Sequence, residues 1–286
     1  MIAKNKLIAV IAVLVIVAAG VSVYALNSHN NQNAGEQTTI TVNGSTTVNP
    51  IMLTVKEKYE LKYPSVTIQI SATGSGAGAA AAIAGTAEIA MLSRDLSASE
   101  QSSGLVPHII GKDGIAIIVN NSVTVTDLTL EQVAKIYSGE YTNWNQVGGA
   151  DHAINLIGRE SSSGTRGAFE ELMTKAYSAF SVSSSMIELS SNNALLTSVE
   201  TTSYAIGYVS LGIIIEAHSS AVHALKIGGV DATIENTVNG TYTLQRDLLL
   251  ATKGEATGAA LALINWVLSA DGQKIVSDQG YIPVSS

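Results

Sequence analysis

The sequence predicts an α/β fold of two similar lobes preceded by one N-terminal hydrophobic helix, and three observations predict it. From Thr38 onward, short β-branched runs alternate with helical patterns, the arrangement of a mainly parallel sheet covered by helices. The order strand, Ser/Gly/Thr loop, helix and a strand ending in Ser occurs twice, from Val66 to Ser93 and from Ala153 to Ser210. Ahead of both, Lys4 and Lys6 precede an uncharged stretch from Leu7 to Leu26, about the length a helix needs to cross a bilayer with its basic end inside.

Taken in order, residues 1–26 are a signal or an anchor. Val23-Tyr24-Ala25 resembles a small-residue cleavage site, but the apolar run is longer than the usual signal core, which favours the anchor. Residues 27–37, rich in Asn and Gln, form a flexible tether with a reach of roughly 17 to 20 Å. Thr39 to Val42 is the first strand; Asn49 as N-cap and Pro50 at the first helical position then start a helix with Ile51, Val55 and Tyr59 on one face, ended by Pro64. Val66 to Ile70, an alanine-rich helix stopping at Gly85, and Glu88 to Leu92 follow.

Ile115 to Asn120 is an apolar, buried-type strand, and Thr129 with Gln132 makes a capping box for a helix carrying Val133, Ile136 and Tyr137. Ala153 to Ile157 is a strand leading to a helix with Phe169, Leu172 and Met173 at core spacing. Ser190 to Val199 is helical and Tyr204 to Ser210 extended; Gly229 to Gly240 is polar and loop-rich. Thr241 to Leu249 is an extended return towards the first lobe, and Leu261, Ile264, Val267 and Leu268 mark a closing amphipathic helix.

Composition narrows the function. At 286 residues, with 46% hydrophobic and 13% charged side chains, the chain buries a sizeable core. Lys and Arg number 15 against 23 Asp and Glu, a net charge of −8, which argues against a nucleic-acid surface; an anion has to be held by local dipoles. The absence of cysteine excludes disulfides, thiolate metal sites and a lipid-modified N-terminal cysteine.

The candidate chemistry lies in Ser/Gly/Thr loops: Ala72-Thr73-Gly74-Ser75-Gly76-Ala77-Gly78, Arg159-Glu160-Ser161-Ser162-Ser163-Gly164-Thr165-Arg166 and Asn43-Gly44-Ser45-Thr46-Thr47-Val48-Asn49-Pro50. Each opens a helix, whose first turn offers unpaired N–H groups and a partial positive charge, and small hydroxyls add donors without bulk. The first loop lacks the lysine of a P-loop and the glycine spacing of a dinucleotide loop, so taken alone it reads equally as a Gly-rich turn. In the second, Arg159 and Arg166 flank Ser163-Gly164-Thr165, and a guanidinium binds an oxyanion through two parallel donors. No loop pairs a nucleophile with a base, and His29, His108, His152, His218 and His223 have no metal-ligand spacing; Asp113 and Asp151 have no evident carboxylate partner.

Gly44-Ser45-Thr46-Thr47-Val48, Thr73-Gly74-Ser75-Gly76, Ser93-Arg94, Asp113-Gly114-Ile115-Ala116, the Leu130 to Trp144 stretch, Arg159 to Arg166 and Ile206-Gly207-Tyr208 occur in the order seen in the phosphate-binding proteins of the Pst ABC importer, which the chain resembles from Thr38 to Ser286. The resemblance implies a periplasmic-binding-protein type II fold: two α/β/α lobes, residues 38–118 with 243–286 and residues 119–242, joined by crossing hinge strands. It implies a binding protein, not an enzyme, without cofactor or metal, that works as a monomer. Its partners would be inorganic phosphate and the ABC permease subunits, at the outer face of the cytoplasmic membrane or in the periplasm or medium.

Carried over by position, Thr46 and Thr47, Ser75, and Arg159, Ser163, Gly164 and Thr165 match phosphate ligands, with Ser93, Arg94 and Asp95 as further candidates. Some members place an aspartate directly after the serine equivalent to Ser93, where it accepts the proton of phosphate and rejects sulfate. Here Arg94 stands there and Asp95 follows, so either Asp95 turns inward or another acceptor serves. The rival readings are a binding protein for sulfate, molybdate or tungstate, a secreted phosphate-ester hydrolase, and a surface scavenger without a transporter.

Overall fold

The computed structural model describes residues 37–284, and the anchor and tether expectations for residues 1–36 lie outside them. Among the described residues no helix is long and apolar enough to cross a membrane. β1 (Thr38–Gly44) leads into α1 (Asn49–Lys62), β2 (Val66–Ser71), α2 (Ser75–Ala84), β3 (Ile89–Leu92), the short α3 (Ala98–Ser102) and the long β4 (Leu105–Asn120). Then come β5 (Asp127–Leu128), α4 (Leu130–Tyr137), a 3-10 turn (Trp144–Val147), β6 (Asn155–Arg159), α5 (Gly164–Ala176), β7 (Ile187–Leu189), α6 (Asn192–Thr201) and β8 (Ala205–Ser210). The chain continues through α7 (Leu211–Ala217), β9 (Val222–Ala224), β10 (Lys226–Ile227) and α8 (Ile234–Val238), and returns by β11 (Gln245–Lys253), α9 (Gly258–Val267), α10 (Ala270–Asp278) and β12 (Ile282–Pro283).

The main sheet runs β2-β1-β3-β11-β4-β8-β6-β7. Pairs within a lobe, β1 with β3 and β6 with β7 and β8, are parallel as the alternating pattern predicts; β11 and β4 run antiparallel to their neighbours because they cross between lobes. β4 serves both lobes. Residues from Leu105 to Gly114 pair with β11, and those from Ile115 to Val119 pair with β8. The strand runs straight through this change of partner, although the Asp113-Gly114 pair that sits there is a common turn dipeptide.

Both faces of β4 are covered in its second half. Ile115, Ile117 and Val119 pack with Val133, Ile136 and Tyr137 of α4 and Phe169 and Met173 of α5. Ala116 and Ile118 face the opposite way, towards Leu195, Leu196 and Val199 of α6. That alternation of one residue to each helical layer is the strand period of two read against two apolar faces. The other lobe repeats the sandwich, with α1, α9 and α10 on one face and the alanine helix α2 on the other. The two-lobed α/β/α architecture is thus present, each lobe with its own core.

Local differences from the sequence reading have local causes. Asn49 is already helical, and Val48 is the N-cap position without a side-chain bond. Ser45 does the capping instead: its Oγ accepts from the N–H groups of Thr47 (3.1 Å) and Val48 (3.3 Å). The capping box of Thr129 and Gln132 forms as read, and α2 stops at Gly85, whose φ of 73° suits glycine. Gly229 to Gly240 holds the short α8 capped by Thr233. In α9 the core positions are Ala260, Leu263, Ile264 and Val267, leaving Leu261 exposed, and α10 follows unannounced because its apolar face is only Ile275 and Val276.

Candidate oxyanion-binding cleft

Two helix starts from opposite lobes meet. Gly76 of the first loop donates its N–H to the carbonyl of Ser162 in the second at 2.9 Å. A Cβ built on Gly164, the first residue of α5, would lie 2.1 Å from Ser75 Oγ and 2.6 Å from Ser93 Oγ, so only glycine permits this approach. Gly78 lets α2 lie against the backbone of Asn43 and Gly44 in the same way, bringing the first and third loops together. The cleft is closed.

Its walls are polar yet buried: Ser45, Thr47, Ser75, Ser93, Asp113, Arg159, Ser163, Thr165, Asn192, Ser210 and Arg246 are all shielded from solvent. Thr47 Oγ1 lies 3.2 Å from Thr165 Oγ1 across the cleft. Ser75 Oγ accepts the N–H of Ser93 at 3.1 Å and lies 3.4 Å from its hydroxyl. Ser163 caps α5, its Oγ accepting from Arg166 N–H at 3.2 Å, so the N-terminal end of α5 with its unpaired N–H groups points at these hydroxyls.

Arg159 ends β6 with its side chain 1% exposed. Glu160 takes it in a fork, Nε to Oε2 at 2.9 Å and Nη2 to Oε1 at 3.0 Å, while the Leu189 carbonyl shares Nε, the Ser190 carbonyl accepts from Nη2 and Asn192 Oδ1 from Nη1. Its backbone N–H donates to the Tyr208 hydroxyl, whose ring stacks on Phe169 at 4.2 Å, fixing the strand end to α5. Arg166, by contrast, turns out to Glu170, Glu188 and the Arg159 carbonyl and serves as a strut for the loop.

The structure therefore brings together Thr47, Ser75, Ser93, Arg159, Ser163, Gly164 and Thr165, with Thr46 half-buried beside them. Two of the candidates stand apart. Arg94 is held by Glu100 through both Nη atoms, at 2.8 and 2.7 Å, and its Cδ packs where a Cβ on Gly167 would come within 2.9 Å. Asp95 is exposed and does not turn into the cluster, which corrects the expectation that it meets the anion's proton. The reason lies in the short α3 that follows, whose first-turn Glu100 draws Arg94 down and leaves the Asp95 backbone carbonyl bonded to Arg94 Nη1 at 2.8 Å.

Three residues of the cluster escaped the sequence reading. Arg246 on β11 faces Asp113 on β4 in strand register, with Nε and Nη2 at 3.1 and 2.7 Å from Asp113 Oδ2. Its remaining donors reach the Ser93 carbonyl and Thr47 Oγ1, both at 3.1 Å. Asp113 Oδ1 accepts from Ser210 Oγ at 3.0 Å. Burial pushes the Asp113 carboxyl upward, against the opposing pull of Arg246 and Ser210. Tyr281, its phenol raised far above the ordinary value by burial, stays a donor and bonds the Thr47 carbonyl at 2.8 Å. Asn192 opens α6 and spans the cleft to Thr47. The signals were present: Arg246 stands two and four residues before the buried Leu248 and Leu250, and Asn192 lies on the helix face of Leu195, Leu196 and Val199.

Each buried arginine has its charge matched by its own carboxylate, so what the cleft offers an added anion is a set of neutral donors and helix dipoles, together with the second Nη1 hydrogen of Arg159, whose first goes to Asn192 Oδ1. Among the described residues no group of three or more His, Asp or Glu side chains is placed to hold a metal ion. Residues 30–271 match the model of the PBP superfamily domain. The phosphate-binding protein PstS of Bacillus subtilis is 32% identical over 294 residues, covering 99% of this chain and 95% of that one. A phosphate ABC transporter substrate-binding protein with bound phosphate from Clostridium perfringens superposes with a TM-score of 0.80 at 36% identity, over 86% of this chain and 100% of that one. An ABC-type phosphate transport receptor from Vibrio cholerae gives 0.70 at 35% identity, over 85% and 99%.

Proposed function

The chain belongs to the PstS family of phosphate-binding proteins within the PBP superfamily, and from that premise we propose that it captures inorganic phosphate between its lobes outside the cytoplasm and delivers it to an ABC permease. The observation that carries this reading is the closed cleft shielded from solvent, in which hydroxyls and a helix N-terminus converge from both lobes around Thr47, Ser75, Thr165 and Gly164. The proposed ligand set is Thr46, Thr47, Ser75 and Ser93 from one lobe and Arg159, Ser163, Gly164 and Thr165 from the other. We place the lobe junctions where β4 changes partner, between Gly114 and Ile115, and where β11 begins, rather than at 118/119 and 242/243.

Each hydrogen bond to a charged ligand is worth about 1.5–3 kcal/mol, and part of the sum offsets desolvation and lobe closure. Closure assembles donors from both sides and excludes water, and the closed shape is what a permease distinguishes from the open one. Selectivity over sulfate requires an acceptor for the anion's proton. With Asp95 exposed and Asp113 already taken by Arg246 and Ser210, hydroxyl oxygens of the cluster are left for that part. The ligand leaves unchanged: among the described residues the carboxylate bonded to a cluster hydroxyl is Asp113, at Ser210, and Arg246 already neutralises it. The N-terminal stretch keeps the domain at the membrane.

Titration calorimetry of the full chain tests the reading: one phosphate per chain, bound in preference to sulfate. Equal affinity for sulfate would move the assignment to another tetrahedral oxyanion, and hydrolysis of a phosphate ester would move it to the hydrolase. Fractionation checks the anchor, which fails if the mature protein begins near Leu26 and is free in the medium.

A further inference from the structure

Asn192 joins the two buried arginine systems. A guanidinium N–H only donates, so the Asn192 atom at 3.0 Å from Arg159 Nη1 is the acceptor Oδ1. The other end of the amide is then Nδ2, which donates to Thr47 Oγ1 at 2.9 Å across the cleft. Arg246 Nη2 donates to the same oxygen at 3.1 Å. A hydroxyl oxygen has two acceptor positions and one hydrogen, and here both positions are filled by N–H groups. The hydrogen of Thr47 has one use left, to donate. Thr165 Oγ1 stands at 3.2 Å to receive it.

We propose that Asn192 and Arg246 are positioning residues for ligand capture, which together fix Thr47 as an obligate hydrogen-bond donor when the lobes close. Arg246 belongs to the lobe of Thr47 and is held by Asp113 whether the cleft is open or shut. Asn192 lies on α6 in the other lobe and reaches Thr47 only on closure. The donor state of Thr47 is therefore completed by closure itself, and the oxygen that meets Thr47 has to be an unprotonated one. This rests on the oxyanion reading above.

A double-mutant cycle on the full chain tests it, with phosphate affinity measured by calorimetry for the parent, Asn192→Ala, Thr47→Val and the pair. Each single variant is expected to lose about tenfold or more in affinity. The pair should fall within about threefold of Thr47→Val alone, because on this account Asn192 acts on the ligand through the Thr47 hydroxyl. A merely structural role would instead make the two losses multiply. Multiplying losses, or an Asn192→Ala variant that binds like the parent, overturn the proposal while leaving the phosphate reading intact; a parent that binds no phosphate overturns both. If Asn192→Ala does not fold, Asn192→Thr, which fills more of the space without the amide, is read in the same cycle by the same criterion.

Discussion

The two buried arginines solve one problem with different means. Arg159 is neutralised by its chain neighbour Glu160, whose side chain is still 25% exposed, whereas Arg246 is neutralised by Asp113, a cross-strand partner with both side chains at 3% exposure or less. The first pair needs only a strand end and a loop. The second needs β4 and β11 in register, so it also ties the crossing strands to the first lobe's loops. Binding and hinge architecture are thus separable at Arg159 and fused at Arg246.

That contrast breaks most visibly in stability. Arg246→Ala leaves Asp113 charged and unpaired in the interior and should cost about 3–5 kcal/mol in denaturant unfolding. Arg159→Ala should cost less, about 2–3 kcal/mol, because Glu160 returns to water. The sequence alone suggests that a cleft arginine is held for its ligand and is free of folding duties; the carbonyls and carboxylate that Arg159 satisfies correct this. Equal losses for the two variants would erase the distinction drawn here.

Affinity sharpens it. Arg159→Lys keeps the charge and loses the planar fork, so phosphate binding should fall in the order Arg, Lys, Ala. Gly164→Ala should weaken phosphate by about tenfold or more, equivalent to ~1.4 kcal/mol, with unliganded stability little changed, since its methyl meets Ser75 and Ser93 only when the lobes are shut. Calorimetry beside a melting curve reads both. An unaltered affinity in Gly164→Ala would mean the lobes bind without this approach.

The smallest effect is acid dependence at the Arg94 pair. Burial raises the Glu100 carboxyl, but the Arg94 fork and the Ser97 N–H outweigh it and hold the group below its ordinary range. A depressed native value means its stabilisation is full at neutral pH and lost as pH falls through that value. Glu100→Gln should therefore be less stable at pH 7 and show a shallower acid limb, without a change in phosphate affinity. A lost affinity would return Arg94 to the ligand set.

What the sequence made legible was whatever is local. The loops opening α2 and α5, the capping box at Thr129 and the helix faces of α1, α4 and α5 are all fixed within a few residues of chain. What it hid is made by register or closure: Asp113 and Arg246 meet only because β4 and β11 pair, and Asn192 meets Thr47 only because two lobes close. The full length of β4 was hidden too, since its first half alternates half-buried and exposed residues from Val106 to Ile109, around Pro107 and His108, and carries no continuous apolar run. Asp95 misled because the adjacent Arg94 is claimed by Glu100, a contact set by the fold of α3.

The most direct test is a crystal structure of the chain grown with phosphate. The account predicts one anion between the start of α5 and Thr47, touching Thr47 Oγ1, Ser75 Oγ and the N–H groups that follow Ser163, with Asn192 still donating to Thr47. An anion seated instead in the open recess lined by Arg94, Lys112 and Lys175 would contradict it.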